Sequence, residues 1–373
     1  MVNFHDRGDT DVFIIGGGPA GLTAAIAARQ RGFEVVVADS AIPPIDKPCG
    51  EGLMPDGICA LADLGIAIPP EDSYPFRGIR FLSSGVKVDA SFPVGHGLGI
   101  RRTKLHRLMI ERATVAGVNL MWQTVVTGLH SDGVWLGTNL VRARWIVGAD
   151  GAHSRVRKWA GLDEHIRQQR RFAFRRHYRV SPWTNCMELH WGRSCQVYVT
   201  PVAPNEICVA AISRNPRLRL DAALAELPAV AGRLEGSERT SVERGAVSAT
   251  RKLRRVCQGR IALVGDASGS VDAISGEGLC LSFRQALVLS ECLASSSLDR
   301  YQARHRSLAR RPALMSRLML TLEGREWFRR RVMQAFVSQP RTFARMLALH
   351  VGVLTPLSLA GIGLSLGWDL LTI

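Results

Sequence analysis

Paired cysteines are what this sequence lacks first. Its eight cysteines (49, 59, 186, 195, 208, 257, 280 and 292) form no CxxC pair and no Cys/His spacing suited to a metal. That argues against a disulfide scaffold and against a zinc site. Most sit in apolar runs, where a free thiol packs as a small hydrophobe, so the chain reads as one made for a reducing cytoplasm. No basic region followed by an apolar stretch opens the N-terminus, so no secretory signal is expected. Lysine is nearly missing as well, with 5 against 43 arginines. The formal charge of +16 arises wholly beyond residue 150: residues 1–150 carry 14 basic and 15 acidic side chains, and residues 151–373 carry 34 and 17. Basic runs at 167–179 and 300–345 come without any nucleic-acid recognition module, which leaves an anionic membrane surface or an anionic substrate as the expected partner and not nucleic acid. Otherwise the composition is that of a globular protein, long enough for two domains and an appendage.

Glycine and aspartate are what the chain has in telling places. Residues 11–16 read as a buried strand, followed by the turn Gly16-Gly17-Gly18-Pro19-Ala20-Gly21 and a helical pattern over 20–31. Residues 33–39 are the next parallel strand and close a βαβ unit. In such a unit Gly16 permits the tight turn, Gly18 lets the backbone approach a pyrophosphate, and Gly21 lets the helix pack on the strand. The helix N-terminus turns free N–H groups and positive dipole to the phosphates. Asp39 ends the second strand, placed to bond a ribose diol. The triplets Gly95-His96-Gly97 and Gly361-Ile362-Gly363 lack this strand–turn–helix context.

Further along, residues 140–150 form a strand running into Gly148-Ala149-Asp150-Gly151-Ala152-His153-Ser154-Arg155. Residues 260–266 form another, ending in Gly265-Asp266-Ala267-Ser268, with a helix opening near Gly276-Glu277-Gly278-Leu279. Together, in this order and spacing, the three motifs resemble the adenine-dinucleotide, Asp-Gly and Gly-Asp motifs of FAD-dependent oxidoreductases of the aromatic-hydroxylase and geranylgeranyl-reductase superfamily. The resemblance covers residues 10–300. It implies an α/β fold, with a discontinuous Rossmann-like FAD-binding domain of the glutathione-reductase type, an antiparallel β-sheet substrate domain and C-terminal helices. The corresponding divisions are 1–75, 101–165 and 250–300 for FAD, 76–100 and 166–249 for the substrate sheet, and 301–373 for the helices.

The resemblance also implies site residues. The turn from Gly16 to Gly21, with Pro19 and Ala20, holds the dinucleotide. Asp150 and Gly151 approach the flavin ribityl region, Asp266 after Gly265 bonds a ribityl hydroxyl, and Arg155 and Arg157 lie on the helix after the Asp-Gly motif. Gly276, Gly278 and Leu279 present a helix N-terminus to the flavin N1–C2=O edge, where reduced flavin carries negative charge that dipole and amides stabilise. Arg102, in the Arg-x-x-Leu pattern opening the helix over 105–116, contacts FAD. The segment Lys47-Pro48-Cys49-Gly50-Glu51-Gly52-Leu53 looks like the one that lies beside the isoalloxazine in geranylgeranyl-reductase relatives, so Cys49 and Gly50 are cofactor neighbours; Cys49 either influences flavin reactivity or serves a tight turn. One departure stands out: where the superfamily usually has proline, this chain has Ala273.

Between the motifs, 76–99 and 168–213 alternate as antiparallel strands. His177, Tyr198 and Arg176 are the polar groups expected to face a substrate. The favoured function is an NAD(P)H-dependent monooxygenase acting on a lipophilic or aromatic small molecule, in which reduced flavin captures O2 as a C4a-hydroperoxide; the lack of a visible second dinucleotide unit agrees with NAD(P)H as a transient donor and equally with a ferredoxin-fed enzyme. The first alternative is a geranylgeranyl-reductase-like reductase of lipophilic double bonds, supported by Cys49 and an apolar C-terminus. A flavin halogenase lacks its Trp-x-Trp-x-Ile-Pro signature, and a non-catalytic electron carrier leaves the substrate sheet unexplained. Residues 347–366 run without a charged side chain but are broken by Pro356 and glycines. They read as a helical cap or as a peripheral membrane contact rather than as a span.

Overall fold

The computed structural model describes residues 9–355, apart from the side chains of 167–169. A parallel sheet lies at its centre, with strands ordered Ile261–Leu263, Asn139–Gly148, Thr10–Ile15, Val35–Ala38 and Asn119–Met121. Thr10–Ile15, Val35–Ala38 and Ile261–Leu263 read as near-continuous apolar runs because helices cover both faces. Val12, Phe13 and Ile14 are wholly buried, as are Ile146, Ala262 and Leu263. Helices Pro19–Arg29 and Gly278–Ala294 pack into the same core through Leu22, Ile26, Phe283 and Ala286. The register matters most for function. Ile15 pairs with both Gly148 and Ala38, and Gly148 pairs with Leu263. Four strands therefore end level with one another, and the glycine- and aspartate-bearing turns leave the sheet side by side.

A second sheet holds the strands Glu238–Arg239, His165–Arg179, Glu206–Ser213, Cys195–Ala203, Cys186–Trp191, Gly78–Ser83 and Val86–Ser91 in that order, with Arg244–Leu253 also paired to His165–Arg179. The sequence suggested a purely antiparallel sheet. It is mixed, since Cys186–Trp191 runs parallel to Gly78–Ser83. The reason is connectivity: these two strands are separated by much of the first sheet, and no hairpin joins them. One face of this sheet carries Tyr198, Ala210 and Ile212 and packs against the helices Leu298–Gly324, Glu326–Ser338 and Pro340–His350 through Met319, Phe336 and Phe343. The opposite face carries Phe174, Tyr178 and Val209 and is closed by the short helices Leu220–Ala225 and Pro228–Leu234.

The first nine residues of the charge-free run, 347–355, begin in the last turns of Pro340–His350; the remainder of 347–366 lies outside the described residues. Among the described residues, no helix is long and apolar enough to cross a membrane.

Candidate cofactor site

At the first strand end, Gly16 sits at φ +115°, and a β-carbon there would lie 2.4 Å from the Ala149 carbonyl oxygen. A β-carbon on Gly21 would lie 1.9 Å from the Gly16 oxygen. Both glycines are thus demanded by the packing of turn, helix and neighbouring strand. Gly18 differs, because a β-carbon there meets nothing within 4 Å. Its place at the start of helix Pro19–Arg29, facing open space, is what close approach of a ligand requires.

Asp39 stands at the end of its strand, as expected. Its Oδ2 accepts the Gly17 N–H at 2.7 Å and its Oδ1 accepts the Ala41 N–H at 2.8 Å. Each oxygen keeps a further lone pair. A residue the sequence did not flag, His106, fixes the same turn from helix Arg102–Val115. Its Nδ1 accepts the Ile45 N–H at 3.1 Å, so its Nε2–H donates to the Gly17 carbonyl at 2.7 Å. Burial lowers the His106 pKa, in keeping with that neutral ring. Trp122 lies so close to Gly17 that a β-carbon there would meet its ring at 2.4 Å.

Gly16, Gly18, Asp39, Lys47, Arg102, Asp150, Arg155 and Trp159 are among the residues bounding one cleft of about 260 Å³. Asp150 caps helix Arg155–Trp159: its Oδ2 accepts the Arg155 and Val156 amides at 2.7 and 3.1 Å. Its other oxygen is buried with no partner, and so is the Arg102 Nε. Such orphaned groups cost ~1–3 kcal/mol when nothing pairs them, so an acceptor and a donor both wait for a ligand in this cleft. Arg157, named from the motif, has a structural task. Only 2% exposed, it bonds Asp163 at 2.5 Å, the Ala152 carbonyl at 3.0 Å and the Ala267 carbonyl at 3.1 Å, tying the Asp-Gly turn to the Gly-Asp turn.

The Gly-Asp turn is a short 3-10 helix, Gly265–Ser268, with Gly265 at φ +58° and packed on Ala20. Asp266 projects exposed from it. Behind it, buried His305 lies 2.9 Å from the Ser268 hydroxyl and 3.0 Å from the Gln285 amide. Burial pulls the His305 pKa down to about 4. Its ordinary value is near 6.5, so between these two pH values the unfolded chain binds a proton that the folded chain refuses. The stability tied to His305 is therefore intact above about pH 6.5 and is lost as pH falls toward about 4. In urea titrations from pH 7 to pH 4.5, a His305→Gln variant should lose less stability than the wild type.

Gly276 and Gly278 open toward empty space, like Gly18 and Gly50. Leu279 follows in the first turn of helix Gly278–Ala294, whose N-cap is Glu277. The Glu277 carboxylate is buried and contacts Arg311 at 3.3 Å, which in turn pairs with Asp56 at 2.8 Å. Burial raises the Glu277 pKa, opposed by His350 and Arg311.

The segment at 49–53 follows Lys47, which lines the cleft. Cys49 is half-buried, and burial pushes its thiol up, away from the thiolate. Thr200 Oγ1 donates to the Gly50 carbonyl at 2.7 Å. Of the three sheet residues expected to face a substrate, His177 does lie on this side, with its Nε2 2.6 Å from Glu51 Oε2. Tyr198 is on the same face, but its hydroxyl is committed to the Ile274 carbonyl at 2.6 Å, which steadies the loop before Gly276. Burial drives the Tyr198 pKa upward. Arg176 is a correction. Strand side chains alternate, so it points to the opposite face from His177 and is held there by Asp221 at 2.6 Å and Glu243 at 3.0 Å. Ion pairs on the far side of the sheet explain its presence, and it contributes nothing to the cleft.

Four open glycines at three turns, an unpaired carboxylate oxygen and an unpaired guanidinium nitrogen fit a long, flat, phosphate-bearing cofactor. The model of the FAD binding domain family matches residues 9–311. The chain belongs to the FAD binding domain family. Its cofactor is accordingly FAD, and it is an FAD-dependent oxidoreductase. Menaquinone reductase of Mycobacterium tuberculosis is 29% identical to it over 342 residues, 82% of this chain and 83% of that protein. A flavoprotein/dehydrogenase from Cytophaga hutchinsonii has the same fold, with a TM-score of 0.80 at 18% identity over 92% of this chain and 93% of that one. So has a 2-methyl-3-hydroxypyridine-5-carboxylic acid oxygenase, with a TM-score of 0.73 at 23% identity over 86% and 93%. Of the residues the sequence singles out, Gly16, Gly18, Asp39, Arg102 and Asp150 line one cleft.

Proposed function

We propose that this flavoprotein is a reductase of a lipophilic small molecule, with NAD(P)H as its transient electron donor. The observation that carries the reading is the Cys49-Gly50 turn, where a β-carbon on Gly50 would meet nothing within 4 Å and burial keeps the thiol protonated. When bound, FAD supplies the two-electron chemistry. Saturating a double bond or reducing a quinone takes two electrons and two protons. A thiol that resists ionisation is suited to holding one of those protons at Cys49 Sγ, not to nucleophilic attack. The apolar face of the mixed sheet, with Phe81 and Trp191 beneath the C-terminal helices, supports a lipophilic substrate and excludes water. Likeness to a menaquinone reductase over most of both chains supports the same reading. In this assignment 76–100 and 166–249 form the substrate-facing unit, 1–75, 101–165 and 250–300 the FAD unit, and 301–373 the cap.

The test is anaerobic turnover of a menaquinone in detergent micelles with NADPH or NADH. Product should form without O2. Cys49→Ala should keep its FAD yet turn over about a hundredfold more slowly, within the range of a lost general acid. A second reading, an NAD(P)H-dependent monooxygenase, is kept because the oxygenase above has this fold. Turnover that requires one O2 per product would establish it and end the reductase reading.

Access to such a substrate also supports contact with a membrane. Helix Glu326–Ser338 exposes Trp327 and Val337 beside Arg330, and Arg341 and Arg345 are exposed on the next helix. Basic side chains around an exposed aromatic suit an anionic lipid surface. The protein should sediment with phosphatidylglycerol vesicles but not with phosphatidylcholine ones, and should be released as salt rises. An Arg330→Glu/Arg345→Glu variant that sediments as well as wild type would refute this contact.

A further inference from the structure

Glu51 lies between two glycines yet carries the turn's left-handed conformation itself, at φ +58°. For a side-chain-bearing residue that conformation costs about 1–2 kcal/mol, and it persists only where surrounding contacts over-determine it. They do so here. Glu51 is 3% exposed. Its Oε1 accepts the Arg102 N–H at 2.9 Å, the first amide of a helix whose own N-cap residue, Arg101, supplies no side-chain cap. Its Oε2 meets His177 Nε2 at 2.6 Å. The proton in that contact can be placed. His177 Nδ1 faces the Arg175 guanidinium at 3.1 Å, and a guanidinium only donates, so Nδ1 accepts and the ring proton resides on Nε2, donated to Glu51. Arg175 is itself held by Asp46 at 2.5 Å, and Ser241 Oγ lies 2.8 Å from His177 Nδ1.

The backbone of the turn is tied just as fully. The Glu51 N–H points to Cys49 Sγ at 3.4 Å, and the Glu51 carbonyl accepts the Ile100 N–H at 3.0 Å. Cys208 Sγ lies 3.7 Å from the Cys49 carbonyl. Glu51, His177 and Cys208 also come close enough together to suggest a metal site. The donated Nε2 proton and the guanidiniums of Arg175 and Arg102 beside the group oppose a cation there.

We infer that Glu51 is a positioning residue: its carboxylate, shared between the Arg102 amide and the His177 ring, sets where the Cys49-Gly50 peptide meets the flavin. This rests on the reading that the turn borders the FAD. Glu51 bends the chain directly after Cys49 and Gly50, and Arg102, which lines the cleft together with Lys47 two residues before Cys49, starts its helix from the same carboxylate.

Two variants of the FAD-loaded protein test it. Glu51→Gln keeps an acceptor for Arg102 but sets an amide N–H against the His177 Nε2–H. Glu51→Gly accommodates φ +58° without strain and removes both contacts, so it covers the case in which the glutamine variant does not fold. Expected for either is full FAD occupancy, an altered visible circular dichroism spectrum and a shifted flavin midpoint potential. Flavin reduction by NADPH or NADH under anaerobic conditions should slow about 10- to 100-fold, the scale of a displaced reacting group. His177→Gln, tested alongside, should move the same spectrum in the same direction. Variants that only melt earlier, with flavin spectrum and potential equal to wild type, would overturn the inference and leave Glu51 a stability residue. A wild-type protein without flavin would instead defeat the cofactor reading beneath it.

Discussion

Gly18→Val should give a protein that folds normally and comes off the column without FAD. A β-carbon at Gly18 meets no protein atom within 4 Å, and its backbone, at φ −72° and ψ 177°, suits a β-branched residue. The added bulk therefore costs the empty protein nothing and occupies the space the pyrophosphate needs. Gly21→Val is the informative contrast, because its β-carbon would fall 1.9 Å from the Gly16 oxygen. That variant should lose FAD and fold together. Thermal melts of both proteins, with flavin absorbance read on the same samples, check the pair. A yellow Gly18→Val protein would remove the first glycine turn from the site.

The second large effect is expected from Asp150→Ala. This carboxylate has two tasks on its two oxygens. Oδ2 caps helix Arg155–Trp159, and losing such a cap costs about 0.5–2 kcal/mol. Oδ1 is buried and unpaired, so a ligand donor is its natural partner. A hydrogen bond to a charged group is worth ~1.5–3 kcal/mol, or about 10- to 100-fold in affinity. Asp150→Ala should thus melt earlier and bind FAD at least tenfold more weakly. Asp150→Asn, which retains a capping oxygen, should recover most of the melting temperature and little of the affinity. Isothermal titration of the apoproteins with FAD separates the two effects. Equal affinity for wild type and Asp150→Ala would show that Oδ1 does not face the cofactor.

What the sequence revealed and what it hid follow from the range of the forces involved. Gly16, Gly21 and Gly265 were legible because steric limits act on neighbours in a turn, and because level strand ends bring such turns together. Asp39 and Asp150 were legible because each closes a strand at that edge. The clamps on these turns were not. His106 reaches Gly17 across 89 residues of chain, and His177 reaches Glu51 across 126. No local pattern encodes which buried acid a distant imidazole will meet. Glu51 was in view between Gly50 and Gly52, and an acid inside so tight a turn was a signal that something must hold it. The sequence expectation puts both Arg176 and His177 on the substrate side, although a period of two forbids adjacent strand residues from sharing a face. Tyr198 lies on the expected face, but the Ile274 carbonyl that takes its hydroxyl belongs to another motif's loop.

The most direct test of a single FAD held by converging strand ends is the absorbance spectrum of the freshly purified wild-type chain, with the released chromophore identified by mass. The expected result is a flavin spectrum and one FAD per chain. A colourless polypeptide that takes up no FAD on incubation, while circular dichroism shows it folded, would contradict the account at its base.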